Sequence, residues 1–369
     1  MPEKAATPAM EMPGWLDWLG GVVERRAGLW QRLGDLESRV FSAELEAVRV
    51  REPVFITGLA RAGTTILLEI LAGRPGVATH RYRDFPPVYT PLFWNRAFAH
   101  IYKADTPPTE RAHKDRILVT PDSPEAIEEV LWMRFFPKAH DTAAVQVLDA
   151  TTSNPAFERF YRDHLRKILL VRGGTRYLSK GNYNLTRLAY LLKLFPDARF
   201  VVPVREPSWH IASLMKQHRL FCEEETRDPR ILAHMRRAGH LEFGLDRRAI
   251  NVGDGAASEV ERLWADGEEV RGWARYWNSL YRFVARQRAS DAALGEATLV
   301  VRYEDLCERP RETLAGVLAH TRLDATDAEL DTLAGRLSAP SYYAPGFTEA
   351  ERAIIAEETA EARGLLGYG

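Results

Sequence analysis

The chain has 369 residues, 46% of them hydrophobic. That is enough for one α/β domain of about 250–300 residues with additions, or for two domains. The 50 basic and 51 acidic residues leave a net charge of −1, which argues against general nucleic-acid binding.

Residues 1–13 are polar and carry three prolines, so a frayed tail is expected. The opening MPEKAATPAMEMPGW lacks the basic-then-apolar layout of a signal peptide. No run of 18 apolar residues occurs, so no transmembrane segment is expected. The two cysteines, Cys222 and Cys307, are far apart and lack metal-ligand spacing. Reduced thiols, a cytoplasmic location and no metal site are the expectations. Residues 14–48 have helical period, with Leu29, Leu33, Leu36 and Val40 on one face and Trp15, Trp18, Leu19 and Val22 on another. A helix packed on the core is the favoured reading; a dimer contact or peripheral membrane contact is the alternative.

Val54-Phe55-Ile56-Thr57 reads as a strand, followed by a glycine-containing loop and a helix from Thr64 to Leu71, stopped by Gly73 and Pro75. Further strands are predicted at Val145–Leu148, Ile168–Val171, Arg199–Val204 and Thr298–Val301. Pro203 is awkward inside its strand. Asn184 to Phe195 reads as a helix, and Pro207 is a good first residue for another. Strands alternating with helices predict a parallel sheet of about five strands covered on both faces, with the strand ending at Thr57 central and beside the one ending at Val204. Residues 220–295 are charged and end in an aromatic helix, which reads as a helical cap or insertion.

The most informative stretch is Gly58-Leu59-Ala60-Arg61-Ala62-Gly63-Thr64-Thr65. It turns a strand into a helix, and the first N–H groups of that helix have no internal acceptor. With the helix dipole they form an anion site. Gly63 lets an anion approach the backbone, Thr64 and Thr65 add hydroxyls, and Arg61 adds a fixed cation with several donors. A nucleoside triphosphate with Mg²⁺ is disfavoured, because Thr64 stands where the phosphate-binding lysine of G-x-x-x-x-G-K-[ST] belongs.

The loop A-R-A-G-T-T resembles the 5′-phosphosulfate loop of sulfotransferases that use PAPS (3′-phosphoadenosine 5′-phosphosulfate), usually P-K-S-G-T-T or P-R-S-G-T-T. Ala60 and Ala62 replace the proline and the serine. Arg205, at a strand end, with Ser213 eight residues on, resembles that family's 3′-phosphate site. Thr175-Arg176-Tyr177-Leu178-Ser179-Lys180 is similar to the stretch bearing its catalytic lysine, and Arg302-Tyr303-Glu304-Asp305-Leu306 to its Y-E-D-L strand end. The resemblance covers roughly residues 52–345 and is closest to the bacterial and Golgi-type branch with arginine in the loop.

The resemblance implies a P-loop-like α/β fold and transfer of a sulfuryl group from PAPS to a hydroxyl or amine of a small-molecule, carbohydrate or lipid acceptor. The donor would be held by Arg61, Ala62, Gly63, Thr64, Thr65, Arg205, Ser213 and Tyr303. Arg61 and Lys180 would stabilise charge, by analogy with phosphoryl transfer. Four regions are then expected: a helical extension (1–50), a nucleotide-binding core (51–219), the cap (220–295), and the end of the core with a tail (296–369).

A base must take the acceptor's proton. The branch places a glutamate shortly after the first helix, but this stretch holds only His80 and Asp84 as replacements, and Asp84 is slightly favoured. Glu125, Glu128 and Glu129 are weaker, because Ser123-Pro124-Glu125 reads as a helix start. The aromatic residues Tyr89, Trp94, Trp132, Phe135, Trp273 and Trp277 could line an acceptor site, although such side chains are more often core. Two rival readings are a P-loop kinase or NTPase and a non-catalytic nucleotide-binding scaffold. The acceptor and the oligomeric state are not legible.

Overall fold

A computed structural model describes residues 12–98, 108–110, 118–339 and 344–368. Most of the expected N-terminal tail lies outside them. The strands are β1 (Val54–Ile56), β2 (Val77–Ala78), β3 (Thr109–Glu110), β4 (Leu118–Val119), β5 (Arg176–Lys180), β6 (Arg199–Val204) and β7 (Thr298–Arg302). Five of them form a parallel sheet in the order β2-β5-β1-β6-β7, while β3 and β4 form a separate antiparallel pair. β1 is central and adjoins β6, as predicted.

β1 is apolar on both faces because the sheet is covered on both. Phe55 joins the larger core with Tyr177, Phe200 and Trp277. Val54 and Ile56 point the other way, into a smaller core with Leu67, Leu178, Val201 and Leu314.

Pro203 is tolerated in β6 for a geometric reason. Arg199 N–H donates to the Pro53 carbonyl and Val201 O accepts from Thr57 N–H, so alternate residues of β6 face β1. Pro203 has the same parity, but β1 has already turned into the loop there. Its missing N–H leaves no strand partner wanting.

Two predicted strands are not strands. Ile168–Val171 is the last turn of the helix Pro155–Arg172, capped by Asn154, begun by Pro155 and closed by left-handed Gly173. Its apolar run is one buried helix face, which a short window cannot tell from a strand. The strand comes later, as β5. Val145–Leu148 forms no strand: Gln146 N–H donates to the Asn251 carbonyl and Leu148 N–H to the Thr186 carbonyl, at the end of a 3₁₀ turn. The helix expected at Ser123 begins instead at Glu129, because Pro124 bridges to Arg81 and Glu125 N–H is taken by the His80 carbonyl. The single helix expected from Asn184 divides at Arg187 into a short 3₁₀ turn and the helix Leu188–Leu194.

The N-terminal region forms helices Gly14–Arg25, Ala27–Val40 and Ser42–Ala47. They do not pack through the predicted leucine face: Leu29, Leu36 and Val40 are exposed, as are Trp15 and Trp18. Contact runs instead through Gly34 and Glu37. A side chain at Gly34 would stand 2.6 Å from the Tyr89 carbonyl oxygen, so glycine permits the close approach. The fully buried Glu37 meets the fully buried Lys167 at 3.1 Å. Lys167 also donates to the Gly34 carbonyl at 2.7 Å.

The helix Pro207–Arg227 runs through position 220, where the expected cap begins. Helices Pro229–Ala238, Ala256–Ala265 and Glu269–Ser290 follow. No helix among the described residues is long and apolar enough to cross a membrane.

Candidate active site at the carboxyl edge of the sheet

Three strands bring the predicted residues together, because β5, β1 and β6 are neighbours and parallel. Their carboxyl ends therefore open on one edge, where doubly wound sheets bind ligands. β1 leads into the loop ending at Gly63, the helix N-cap, with φ of 101°. Added atoms at Gly63 would stand 2.8 Å from the Tyr303 ring, and at Gly58 2.9 Å from the Pro203 carbonyl. Arg61, with φ of 73°, is also left-handed, a conformation unusual for a non-glycine residue and common at functional turns.

The loop is held from below. Trp277 Nε1–H donates to His210 Nδ1 at 3.1 Å. That fixes the tautomer, so His210 Nε2–H donates to the Ala60 carbonyl at 2.8 Å. Burial pushes His210 down to about 3, helped by the Arg205 and Arg61 charges, so it stays neutral. The Thr57 hydroxyl donates to the Asn182 carbonyl at 3.2 Å, tying the loop to the turn after β5.

The second predicted anion element adjoins the first. Arg205 follows β6, and its guanidinium reaches the Arg61 carbonyl at 3.5 Å. It also lies over the Tyr303 ring, 4.8 Å from the centroid. Arg61 Nε donates to Ser213 Oγ at 3.3 Å. Ser213 is thus beside the loop, two turns into its helix. Ala62 and Thr64 are buried and Thr65 is half-buried.

Lys180 ends β5 in register with Ile56, and the next N–H, of Gly181, donates to the Ile56 carbonyl. Around it lies a charged cluster that sequence reasoning largely missed. Burial would raise the Glu125 carboxyl, but Lys180, the Tyr82 hydroxyl and His240 together hold it below its usual value. His240 Nδ1 stands 3.7 Å from Glu242 Oε2. Asn182 Nδ2 donates to Glu242 Oε1 at 2.7 Å, and the Tyr183 hydroxyl accepts from Leu241 N–H at 3.0 Å. His240 and Glu242 belong to the region read only as a cap, and no motif marks them.

Asp84 and His80 do not fit the base role expected of them. Asp84 is buried, and its oxygens take the Arg172 guanidinium (2.7 Å), Arg81 N–H (2.8 Å) and Asn95 Nδ2 (3.1 Å). Burial alone would raise its carboxyl, but contacts with His80 and Arg172 hold it well below the usual range, which makes it a poor base. His80 faces inward, with Nε2 3.0 Å from His164 Nε2. The pair braces the segment whose carbonyl at His80 holds Glu125.

Asp84→Asn is accordingly expected to cost about 1–3 kcal/mol of stability, for the loss of a charged acceptor from a buried network, with activity retained. The carboxyl is depressed in the fold, so its contribution is present above the unfolded value near 3.8 and fades as pH falls below it. Urea midpoints of both proteins at pH 7 and pH 3.5 check this. Loss of activity with unchanged stability would restore Asp84 as the candidate base.

The predicted acceptor wall is mostly core. Tyr89, Trp132, Trp273 and Trp277 are buried, and Trp94 is half-buried with its indole N–H on the Arg83 carbonyl at 2.7 Å.

A family model described as "Sulfotransferase family" matches residues 53–327. No curated protein matches the chain. Among solved structures, a sulfotransferase of Mycobacterium tuberculosis superposes with a TM-score of 0.51 at 18% identity, over 93% of this chain and 86% of that one. A sulfotransferase of Mycobacterium avium gives 0.50 at 15% identity, over 89% and 80%. At such identities the structural likeness speaks for the fold.

Proposed function

This chain belongs to the PAPS-dependent sulfotransferase family, and on that premise we propose that it transfers a sulfuryl group from PAPS to a hydroxyl or amine of a small-molecule, carbohydrate or lipid acceptor. One observation supports this most: the two turns expected to bind anions adjoin, with Arg61 Nε on Ser213 Oγ at 3.3 Å. A nucleotide carrying a 5′-phosphosulfate and a separate 3′-phosphate would need such a pair of sites.

Each residue then has a physical task. The N-terminus of the helix Thr64–Ala72, with Gly63, Thr64, Thr65 and the backbone at Ala62, receives the 5′ anion. Arg205 and Ser213 clamp the 3′-phosphate through charge-assisted bonds. Tyr303, packed on Gly63 and under Arg205, shapes the wall between the two anions. Arg61 stabilises the transferring group, and Lys180 the charge that builds on the leaving phosphate.

PAP, the desulfated product, is expected to raise the melting temperature without added metal. At 100 times its Kd a ligand adds about 2.7 kcal/mol. Arg205→Ala should weaken PAP binding strongly and adenosine 5′-phosphosulfate binding little, because only PAP carries the 3′-phosphate. Calorimetric titration of both nucleotides checks this, and equal losses would remove Arg205 from the 3′ site. No binding of PAP to the unaltered protein would remove the donor assignment itself.

A further inference from the structure

On the reading above, the acceptor's proton still needs a destination. We propose that His240, oriented by Glu242, is the general base that takes it.

The placement is built from several elements. The segment His240–Glu242 follows the helix Pro229–Ala238 and its left-handed Gly239. It is pinned to the turn after Lys180 at two points, Asn182 to Glu242 and Tyr183 to the Leu241 backbone. Asn182 in turn receives the Thr57 hydroxyl, so the segment and the anion loop share one support. On the far side, Arg237 is tied to Asp17 at 2.6 Å and to Glu24 at 3.1 Å. The helix that delivers His240 is thereby anchored at its end.

The chemistry fits. Glu242 faces Nδ1 of His240 at 3.7 Å, so the carboxylate favours the tautomer with the proton on Nδ1 and the lone pair on Nε2. Nε2 has no hydrogen-bond partner among the described residues, and the side chain is 29% exposed. The imidazole is thus half-buried, with Nε2 left uncommitted. A carboxylate that orients an imidazole, which then activates a hydroxyl, is a recurrent catalytic arrangement.

In the step, the acceptor oxygen attacks sulfur as its O–H proton moves to Nε2. The new O–S bond forms while the S–O bond to the 5′-phosphate breaks. That electron pair stays on the PAP phosphate oxygen, beside Lys180, and the imidazolium later releases its proton to water.

Every charged or titratable group facing His240 bears on its proton affinity. Burial and the Lys180 charge lower it, while the contact with Glu242 and the charges of Glu242 and Glu125 outweigh them and raise it. His234, on the preceding helix, is pushed down to about 4 by burial and by His240 itself, so it adds no charge near neutrality. Activity should therefore climb with pH through an acid limb above the unperturbed imidazole value of about 6.5. A Glu125 base, depressed by its neighbours, would put that limb below 4.5.

The test has two arms on the full-length protein. In the first, [³⁵S]PAPS is turned over with a low-molecular-weight cell extract as acceptor pool and with water alone. His240→Gln should lower the rate about 10²–10³-fold, remove the acid limb and leave the melting shift with PAP intact. In the second, NMR follows the His240 imidazole without any acceptor. It should titrate above about 6.5, and lower in Glu242→Gln. A normal rate in His240→Gln, an acid limb removed by Glu125→Gln, or a His240 titration indifferent to Glu242→Gln would each overturn the assignment. Failure of the unaltered protein to bind PAP would instead strike the parent reading of the donor.

Discussion

Replacing Lys180 by alanine is expected to lower kcat for sulfuryl transfer by about 10²–10³-fold, as when one preorganised donor is lost from a developing charge. PAP binding should fall much less, because PAP lacks the group whose transfer builds the charge. Lys180 sits at the end of β5 in register with Ile56, rigidly placed beside the anion loop. Lys180→Ala also leaves Glu125 with less opposing charge, so the Glu125 carboxyl should titrate higher. Lys180→Arg keeps the charge and separates the two effects. It should preserve the Glu125 titration and restore part of the rate. Single-turnover transfer from [³⁵S]PAPS, PAP calorimetry and the Glu125 carboxyl signal are the measurements. An unchanged rate in Lys180→Ala would leave the residue a support for Glu125 and no more.

The second large effect concerns stability. Lys167→Met should destabilise the protein by about 3–5 kcal/mol, the range for removing one partner of a buried ion pair. Glu37 and Lys167 are both fully buried, so Glu37 would be left charged with no other cation paired to it among the described residues. Phe93 N–H also bonds Glu37 but carries no full charge. Lys167→Met with Glu37→Met should recover most of the loss, because the cost lies in the unpaired charge.

The sign with pH follows from burial. Burial already raises the Glu37 carboxyl against the opposing pull of Lys167, and removing Lys167 should raise it further. A carboxyl with a raised folded value penalises the fold at pH above its unfolded value near 4.5, and the penalty vanishes below that. The deficit of Lys167→Met should therefore shrink as pH falls from 7 toward 4.5. Urea titration of the four proteins of the cycle checks it. A deficit independent of pH, or one not recovered in the double variant, would mean packing and not charge.

Much of the candidate donor site was legible because its signals are local. The apolar run Val54–Ile56, the glycine spacing of the loop and Pro207 at a helix start are backbone preferences within a dozen residues. They sufficed to predict a parallel sheet with β1 central and two candidate anion turns on one edge. β5 was harder, since Arg176-Tyr177-Leu178-Ser179-Lys180 is five residues with a charge at each end, while the nearby run Ile168–Val171 mimicked a strand. The packing face of the N-terminal helices was misread because burial followed Gly34, which admits a close backbone, and Glu37, which found Lys167.

The sequence by itself determined the turn chemistry: which backbone conformations occur where, and which cations sit at strand ends. Only the tertiary structure decided which side chains meet. Asp84 lies near the expected position yet is consumed by Arg172, 88 residues away, while Glu242 reaches the site through Asn182, 60 residues away. Backbone preference acts over one turn, whereas a carboxylate takes its partner and its proton affinity from whatever the packed fold puts within a few ångströms.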